Sequence, residues 1–182
     1  MEIYFDTEFL DDGKTIQPIS IGMVKETGEE YYAIFNNALT IADATNHPWL
    51  KANVLPYLPL VQPIDPGCPY WDESHPDYVN IKRPARIAKE VHDFITSVPS
   101  PSLWAYFSAY DHVVLAQLYG RPMVKMPLGI PQRTNDIAQE MERLNYNPGR
   151  KNDNKHNSLS DAREVKWMRG KLKEYEYGKK TV

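Results

Sequence analysis

The sequence predicts an α/β fold, and the first observation behind this prediction is a three-stranded antiparallel meander at the N-terminus. Residues 2–6, 19–24 and 31–35 form apolar runs of strand length. Turn-forming residues lie between them, including Asp12-Gly13 and Thr27-Gly28. Strand-length apolar runs separated by such turns are typical of hairpins.

The second observation is the alternation of helix and strand patterns from Pro84 onward. Ile87, Val91, Phe94 and Ile95 recur at helical spacing after Pro84, which can occupy the first turn. Residues 103–107 are apolar on both faces, like a buried strand, and a helix follows over about 110–119 and ends at Gly120. A strand-helix-strand-helix order indicates a sheet covered by helices.

The rest of the chain completes this pattern. We expect a short extended piece near residues 128–130, then a helix with Ile137, Met141 and Leu144 on one face. Residues 145–157, rich in Asn, Gly and Lys, predict a loop, and a final helix follows over about 158–175.

The length of 182 residues indicates one domain over residues 1–182 with loop insertions. Seven of the 15 prolines lie between residues 56 and 84, a composition that excludes a long helix or a central strand. We interpret residues 56–84 as a Pro-rich surface insertion.

Composition also restricts the location and the partners. The chain has no apolar run long enough to cross a bilayer and begins with acidic rather than basic residues, so we expect a soluble, cytoplasmic protein without membrane contact. One cysteine cannot form an internal disulfide, which fits a reducing compartment.

The charge is unevenly distributed along the chain. The net charge is −3, yet residues 143–182 carry 11 Lys and Arg against 5 Asp and Glu. A basic segment on an acidic body suits a protein that binds both phosphates and cations, although a solvated helix face explains the basic segment equally well.

Acidic residues then appear at three places that the predicted fold can bring together. Asp6 and Glu8 are two apart near the end of the first strand, so their side chains point to the same face, beside apolar neighbours. Asp111 begins a helix after a buried strand, where it could also serve only the helix dipole. His156 and Asp161 stand at the start of the final helix, a pairing that chance alone could produce.

Together these residues fit two-metal phosphoryl chemistry. Carboxylate oxygens bind Mg²⁺, and two ions about 4 Å apart stabilise the attacking and leaving oxygens. Mn²⁺ accepts the same ligands. A neutral imidazole can take a proton from water because its pKa lies near working pH.

The motifs FDTEF, YDHVVL and HNSLSDA resemble the three exonuclease motifs of the DEDDh superfamily, with His156 in place of a tyrosine. The segments YFDTEFLDDGKTIQPISIGMV, GEEYYA and LWAYFSAYDHVVLAQLYG resemble most closely the bacterial polyadenylate-specific exoribonucleases called RNase AS. The resemblance covers nearly the whole chain apart from the Pro-rich insertion and the C-terminus.

The resemblance implies an RNase H-like fold, a mixed five-stranded sheet flanked by helices, and a 3′-to-5′ exoribonuclease that shortens single-stranded RNA, with a preference for A-rich tails. It implies two Mg²⁺ ions on Asp6, Glu8 and Asp161, with Asp111 bound directly or through water, and His156 as general base. It also implies terminal-nucleotide contacts from Thr7, Phe9 and Leu10, and a homodimer. For Phe9 and Leu10 a role in the core fits the sequence nearly as well.

Three alternatives remain open at this stage. A DNA 3′ exonuclease of the proofreading type would use the same catalytic set, since the motifs do not encode contacts to the 2′-hydroxyl. A non-catalytic nucleic-acid-binding module would have no use for clustered carboxylates that face phosphate. An RNase H-type endonuclease fits the His-to-Asp spacing less well.

Overall fold

A mixed sheet of six strands with helices on both faces forms the centre of the molecule, as seen in a computed structural model that describes residues 1–120, 126–151 and 156–180. The strand order is β4-β3-β2-β1-β5-β6. The strands are β1 (Glu2–Asp11), β2 (Ile16–Lys25), β3 (Glu30–Phe35), β4 (Ile81–Lys82), β5 (Ser102–Ala105) and β6 (Thr134–Asp136). The helices are α1 (Ala38–Thr45), α2 (Pro48–Asn53), α3 (Pro84–Thr96), α4 (Ala109–Gln117), α5 (Ile137–Leu144) and α6 (Ser158–Lys180).

The predicted meander and the later strand-helix alternation are confirmed. β1, β2 and β3 pair antiparallel, whereas β5 pairs parallel with β1 and β6 pairs parallel with β5. The α/β class and the RNase H-like arrangement follow from this mixed topology.

Three details of the sequence prediction are wrong. The sheet has six strands rather than five, because the two-residue strand β4 pairs with β3 at the end of the Pro-rich segment. Such a short strand leaves no alternating pattern in the sequence. The extended piece expected at 128–130 is instead a turn, and the edge strand is β6. Finally, β1 continues to Asp11, so Asp6 and Glu8 lie in its middle rather than at its end.

The Pro-rich segment contains short 3₁₀ turns at Leu55–Tyr57 and Pro76–Asn80 and an isolated antiparallel bridge between Leu60 and Trp71. It contains no α-helix before α3 begins at Pro84, as its proline content predicts. Residues 152–155 of the predicted loop before α6 lie outside the described residues.

Apolar side chains fill both sides of the sheet. On one side, residues of β1, β2 and β3 pack against α3 and α4, with Phe5, Met23 and Ile87 fully buried. On the other side, Tyr4 packs with residues of α5 and α6, including Val165. Because side chains alternate along a strand, Tyr4, Asp6 and Glu8 all point toward α6.

Basic residues of α6 bind acidic residues of the sheet and of α5. Arg163 pairs with Glu30 at 2.6 Å, and Arg169 bridges Glu2 and Glu140 at 3.1 and 3.0 Å. These ion pairs attach the helix to the body of the protein. The charge asymmetry in the sequence therefore reflects attachment of α6 at these positions.

None of the helices in the described part of the chain combines the length and apolar character that a membrane span requires.

Candidate active site

The middle of β1 lies beside an opening in the sheet. Within the described residues, β5 pairs with Glu2–Tyr4 of β1, and no strand pairs with the edge of β1 beyond Tyr4 on that side. Asp6 and Glu8 follow directly and point to the face that α6 covers. A bulge between Glu8 and Phe9 shifts the register with β2 at this point. The carboxyl ends of parallel strands are a common location for active sites in α/β folds.

Asp111 reaches this opening from the first turn of α4. Its Oδ1 atom accepts hydrogen bonds from the Thr7 backbone N–H at 2.8 Å and from the Thr7 hydroxyl at 2.7 Å. These two bonds hold Asp111 against β1, although the two residues are 104 positions apart in the chain. The Thr7 side chain therefore positions a carboxylate.

Helix α6 brings Asp161 to the same place because its first turn lies directly on β2. A Cβ atom built on Gly22 would lie 2.3 Å from the Cα atom of Leu159. Gly22 is the cross-strand partner of Asp6, so this close approach places the first turn of α6 beside the acidic residues of β1. Only glycine leaves room for the helix at this position.

Asp161 is held at both of its carboxylate oxygens. The Arg150 Nη2 atom donates to Oδ1 at 3.0 Å, and the His156 backbone N–H donates to Oδ2 at 2.7 Å. The backbone of His156 has φ +70, the left-handed region that side chains other than glycine seldom adopt. The bond to Asp161 stabilises this conformation at the start of α6.

The imidazole of His156 packs against the ring of Trp49 from α2, edge to face, with ring centroids 4.6 Å apart. Glu8, His156 and Asp161 each offer an oxygen or nitrogen atom within 4.8 Å of the others, a spacing at which one cation could bind all three. The structure thus brings Asp6, Glu8, Asp111, His156 and Asp161 to one cleft.

The carboxyl groups of Asp6, Glu8 and Asp111 resist ionisation. Burial raises the pKa of Glu8 to about 8, and the Asp161 and Asp111 carboxylates add to the shift. Burial raises the pKa of Asp111 to about 7, against the lowering effect of the hydrogen bonds from Thr7. The pKa of Asp6 lies well above its usual range, through burial and then the charges of Asp111 and Glu8. Clustered carboxyl groups of this kind are stabilised by a bound cation.

The cleft has a cavity volume of about 290 Å³ and mixes this acidic floor with aromatic walls. Phe9 and Tyr110 stack with ring centroids 5.6 Å apart, and Tyr110 is half exposed. Trp49, Tyr106 and Phe107 also line the cleft. Flat aromatic surfaces beside a cation site suit a nucleotide, whose base can stack while its phosphate meets the metal.

The three residues that the sequence predicts to contact the terminal nucleotide lie in two different environments. Thr7 and Phe9 line the cleft. Leu10 is only 6% exposed and packs with Ile19 and Ile41 in a core cluster under α1 and α2, which is the alternative that the sequence left open. The bulge after Glu8 changes the alternation, so the directions of Phe9 and Leu10 could not be read from spacing alone.

Sequence reasoning missed Arg150, Trp49 and Gly22. Trp49 comes from a short helix for which no prediction was made, and Arg150 lies in a polar loop without periodicity. Only Gly22 carried a signal, since a glycine inside an apolar strand often marks a close backbone approach.

Comparison with known proteins identifies the family to which this chain belongs. A model of the 3′-5′ exoribonuclease Rv2179c-like domain matches residues 1–171. The chain belongs to this exoribonuclease family. The 3′-5′ exoribonuclease Rv2179c of Mycobacterium tuberculosis strain H37Rv is 36% identical over 168 residues, which cover 90% of this chain and 88% of that protein.

Solved structures agree with the fold. Exonuclease I in a product-bound structure aligns with a TM-score of 0.53 at 12% identity, over 97% of this chain and 45% of that chain. Pop2p of S. pombe, in a form with Mg²⁺ and Mn²⁺ bound, aligns with a TM-score of 0.51 at 14% identity, over 94% of this chain and 82% of that chain.

Family membership establishes the class of activity. The protein is a 3′-5′ exonuclease, a hydrolase whose substrate is nucleic acid. The DEDDh resemblance seen in the sequence is confirmed at this level.

Proposed function

We propose that the protein removes nucleotides one at a time from the 3′ end of single-stranded RNA, with divalent cations held by Asp6, Glu8, Asp161 and Asp111. The convergence of these four carboxylates and His156 on one cleft, in a chain of the exoribonuclease family, is the observation that supports it.

The donor set fits hard divalent cations. All four groups offer carboxylate oxygens, the ligands preferred by Mg²⁺ and Mn²⁺. Burial raises the pKa values of Glu8 and Asp111, and a bound cation would favour their ionised forms. Two ions bound here would stabilise the attacking and the leaving oxygen of the phosphodiester. Mg²⁺ is the ion that we propose first, and Mn²⁺ is an accepted substitute.

His156 is the proposed general base. Its imidazole takes a proton from water as the water oxygen attacks phosphorus, the bond from phosphorus to the 3′ oxygen of the preceding nucleotide breaks, and that oxygen acquires a proton. The products are a nucleoside 5′-monophosphate and a chain shorter by one nucleotide. Trp49 packs against the imidazole and limits its rotation during the proton transfer.

Phe9 and Tyr110 are proposed to stack on the terminal base, since they form an exposed aromatic surface beside the carboxylates. Arg150 pairs with Asp161 and lies over the ring of Tyr106 at 5.6 Å. When cations occupy the site, they take over the neutralisation of Asp161, and the guanidinium of Arg150 can turn to a phosphate oxygen.

Four further features belong to this proposal. Preference for A-rich tails and the homodimer come from the RNase AS resemblance. A cytoplasmic location is supported by the single cysteine, Cys68, which is free. The last feature is a single domain over residues 1–182.

The test is digestion of 5′-labelled single-stranded RNA and DNA of identical sequence, together with an A-tailed RNA. Reactions contain Mg²⁺, Mn²⁺ or EDTA. We expect a ladder that shortens from the 3′ end of RNA, depends on the cation and runs faster on the A-tailed substrate. Faster digestion of DNA would contradict the RNA preference, and full activity in EDTA would contradict the metal site.

A further inference from the structure

A second cavity of about 500 Å³ lies next to the active-site cleft and shares two of its walls, Tyr106 and Phe107. Its other walls come from α5 and the residues after it, including Met141, Asn145, Tyr146 and Asn147. The two cavities therefore adjoin each other at these two side chains. The second cavity lies beside any nucleotide that occupies the cleft.

Phe107 forms the partition between the two cavities. Its side chain is 65% exposed, although it is a large apolar group, and its ring centroid lies 4.4 Å from that of Tyr106. Its backbone has φ +56, which is strained for any residue other than glycine. Exposure and strain together mark a side chain held for contact with a ligand rather than for the core.

Another wall of this cavity is aromatic. Tyr146 stacks on Tyr175 of α6 with ring centroids 4.1 Å apart and an angle of 9° between the planes. Asn147 is ordered because its Oδ1 atom accepts from the Gly149 N–H at 2.8 Å, so the Nδ2 hydrogens are the groups that can donate to a ligand. An aromatic face beside an amide is the combination that recognises a nucleobase in single-stranded nucleic acid.

The charge of the cavity selects a base over a phosphate. Glu142 lines it, and its lining within the described part of the chain includes no Lys or Arg. A phosphate would be repelled here, whereas a neutral base would lose little by leaving water for an aromatic wall.

We propose that this cavity binds the base of the penultimate nucleotide, the one whose 3′ oxygen is the leaving group. This inference rests on the proposed function, in which the terminal nucleotide occupies the neighbouring cleft. The subsite binds the chain that remains after each cleavage, and it favours oligonucleotides over substrates that lack a base at the penultimate position.

The experiment compares two short RNAs, one intact and one with an abasic ribose at the penultimate position, on wild-type protein and on Tyr146→Leu. Leucine keeps an apolar side chain against Tyr175 and removes the aromatic face. We expect the abasic change to raise KM about tenfold on wild type, because stacking of one base has an effect of this order. On Tyr146→Leu, KM for the intact RNA should already be raised and the abasic change should add little.

Two controls separate this inference from the proposed function. Uridine 5′-phosphate p-nitrophenyl ester supplies only the terminal nucleotide, so Tyr146→Leu should hydrolyse it at the wild-type rate. Tyr70→Leu removes an exposed aromatic side chain outside both cavities, and it should leave the KM values for the intact and the abasic RNA unchanged. Thermal melting checks that Tyr146→Leu folds.

Equal KM values for the intact and abasic RNAs on wild-type protein would overturn the subsite while leaving the exonuclease intact. If the wild type shortens neither RNA, the proposed function itself fails.

Discussion

Gly22 and Leu159 lie so close together that only glycine fits at position 22. A Cβ atom there would stand 2.3 Å from the Leu159 Cα and N atoms. The contact joins the strand next to β1 to the first turn of α6. It therefore sets the distance between Asp161 and the carboxylates of Asp6 and Glu8.

Gly22→Ala should displace the first turn of α6 and reduce both stability and activity. The clash is with backbone atoms that cannot rotate away, and overpacking of this kind destabilises by about 1–3 kcal/mol or more. Urea unfolding measures the stability. Gly170→Ala is the matched control, because no atom lies within 4 Å of a Cβ at that helical position, and it should stabilise the protein by up to about 1 kcal/mol. A Gly22→Ala protein as stable and active as wild type would show that α6 does not depend on this contact.

His156→Ala should lower kcat by on the order of a hundredfold or more, the usual effect of removing a general base. Cation affinity, measured by isothermal titration calorimetry, should change little, since the carboxylates supply the main ligands. Asp161→Ala should lose both activity and cation binding. If His156→Ala instead lost cation affinity to the same degree as Asp161→Ala, the histidine would be a metal ligand rather than the base.

The metal-free protein should become less stable as pH rises from about 4 to about 8. Glu8 and Asp111 have folded pKa values raised to about 8 and about 7, so the folded state binds more protons than the unfolded state across this interval. The stability that protonated Glu8 and Asp111 contribute to the folded state is fully present below the pKa values that they have in the unfolded chain. It is lost as pH rises through the pKa values that they have in the folded protein. Thermal melting in EDTA at pH 5 and pH 8 measures the effect.

The same melting experiment is repeated with the Asp6→Asn variant and with added Mg²⁺. Asp6→Asn removes one charge from the cluster and should reduce the loss of stability at pH 8. Mg²⁺ should raise the melting temperature of the wild type more at pH 8 than at pH 5, because only the ionised cluster binds it well. A melting temperature in EDTA that rises steadily between pH 5 and pH 8 would contradict the assigned burial of these carboxyl groups.

Arg150→Gln should change cation binding and RNA binding in opposite directions. Without RNA, the Arg150 guanidinium occupies Asp161 Oδ1, so its removal should raise cation affinity severalfold. With RNA, loss of one phosphate contact should raise KM and reduce the slope of log KM against log salt by about 0.7, the value for one contact to a single strand.

Arg163→Gln is the control for Arg150, because Arg163 pairs with Glu30 away from the cleft. It should leave both the cation affinity and the salt slope unchanged. An Arg150→Gln protein with the wild-type salt slope would show that Arg150 serves Asp161 alone.

Much of the fold was accessible from the sequence because its signals are local. The meander follows from three apolar runs and their turns, and α3 and α5 follow from helical spacing of apolar residues. The two-residue strand β4 and the edge strand β6 were not accessible, since strands of two or three residues carry too few positions to show alternation. Helices α1 and α2 fall in a region for which the sequence supported no prediction.

The residue types and their order determined the chemistry that this protein can perform. Two carboxylates lie on one strand, a third lies at a helix start, and a histidine comes just before the last helix, which has a carboxylate in its first turn. Their convergence depended on tertiary structure. Thr7 holds Asp111 from 104 positions away, and Gly22 admits Leu159 from a helix more than a hundred residues later. Arg150, Trp49 and Phe107 face the cleft for the same reason. Such contacts join segments that are distant in the chain, so their geometry is set by how the layers pack and leaves no periodic pattern in the sequence.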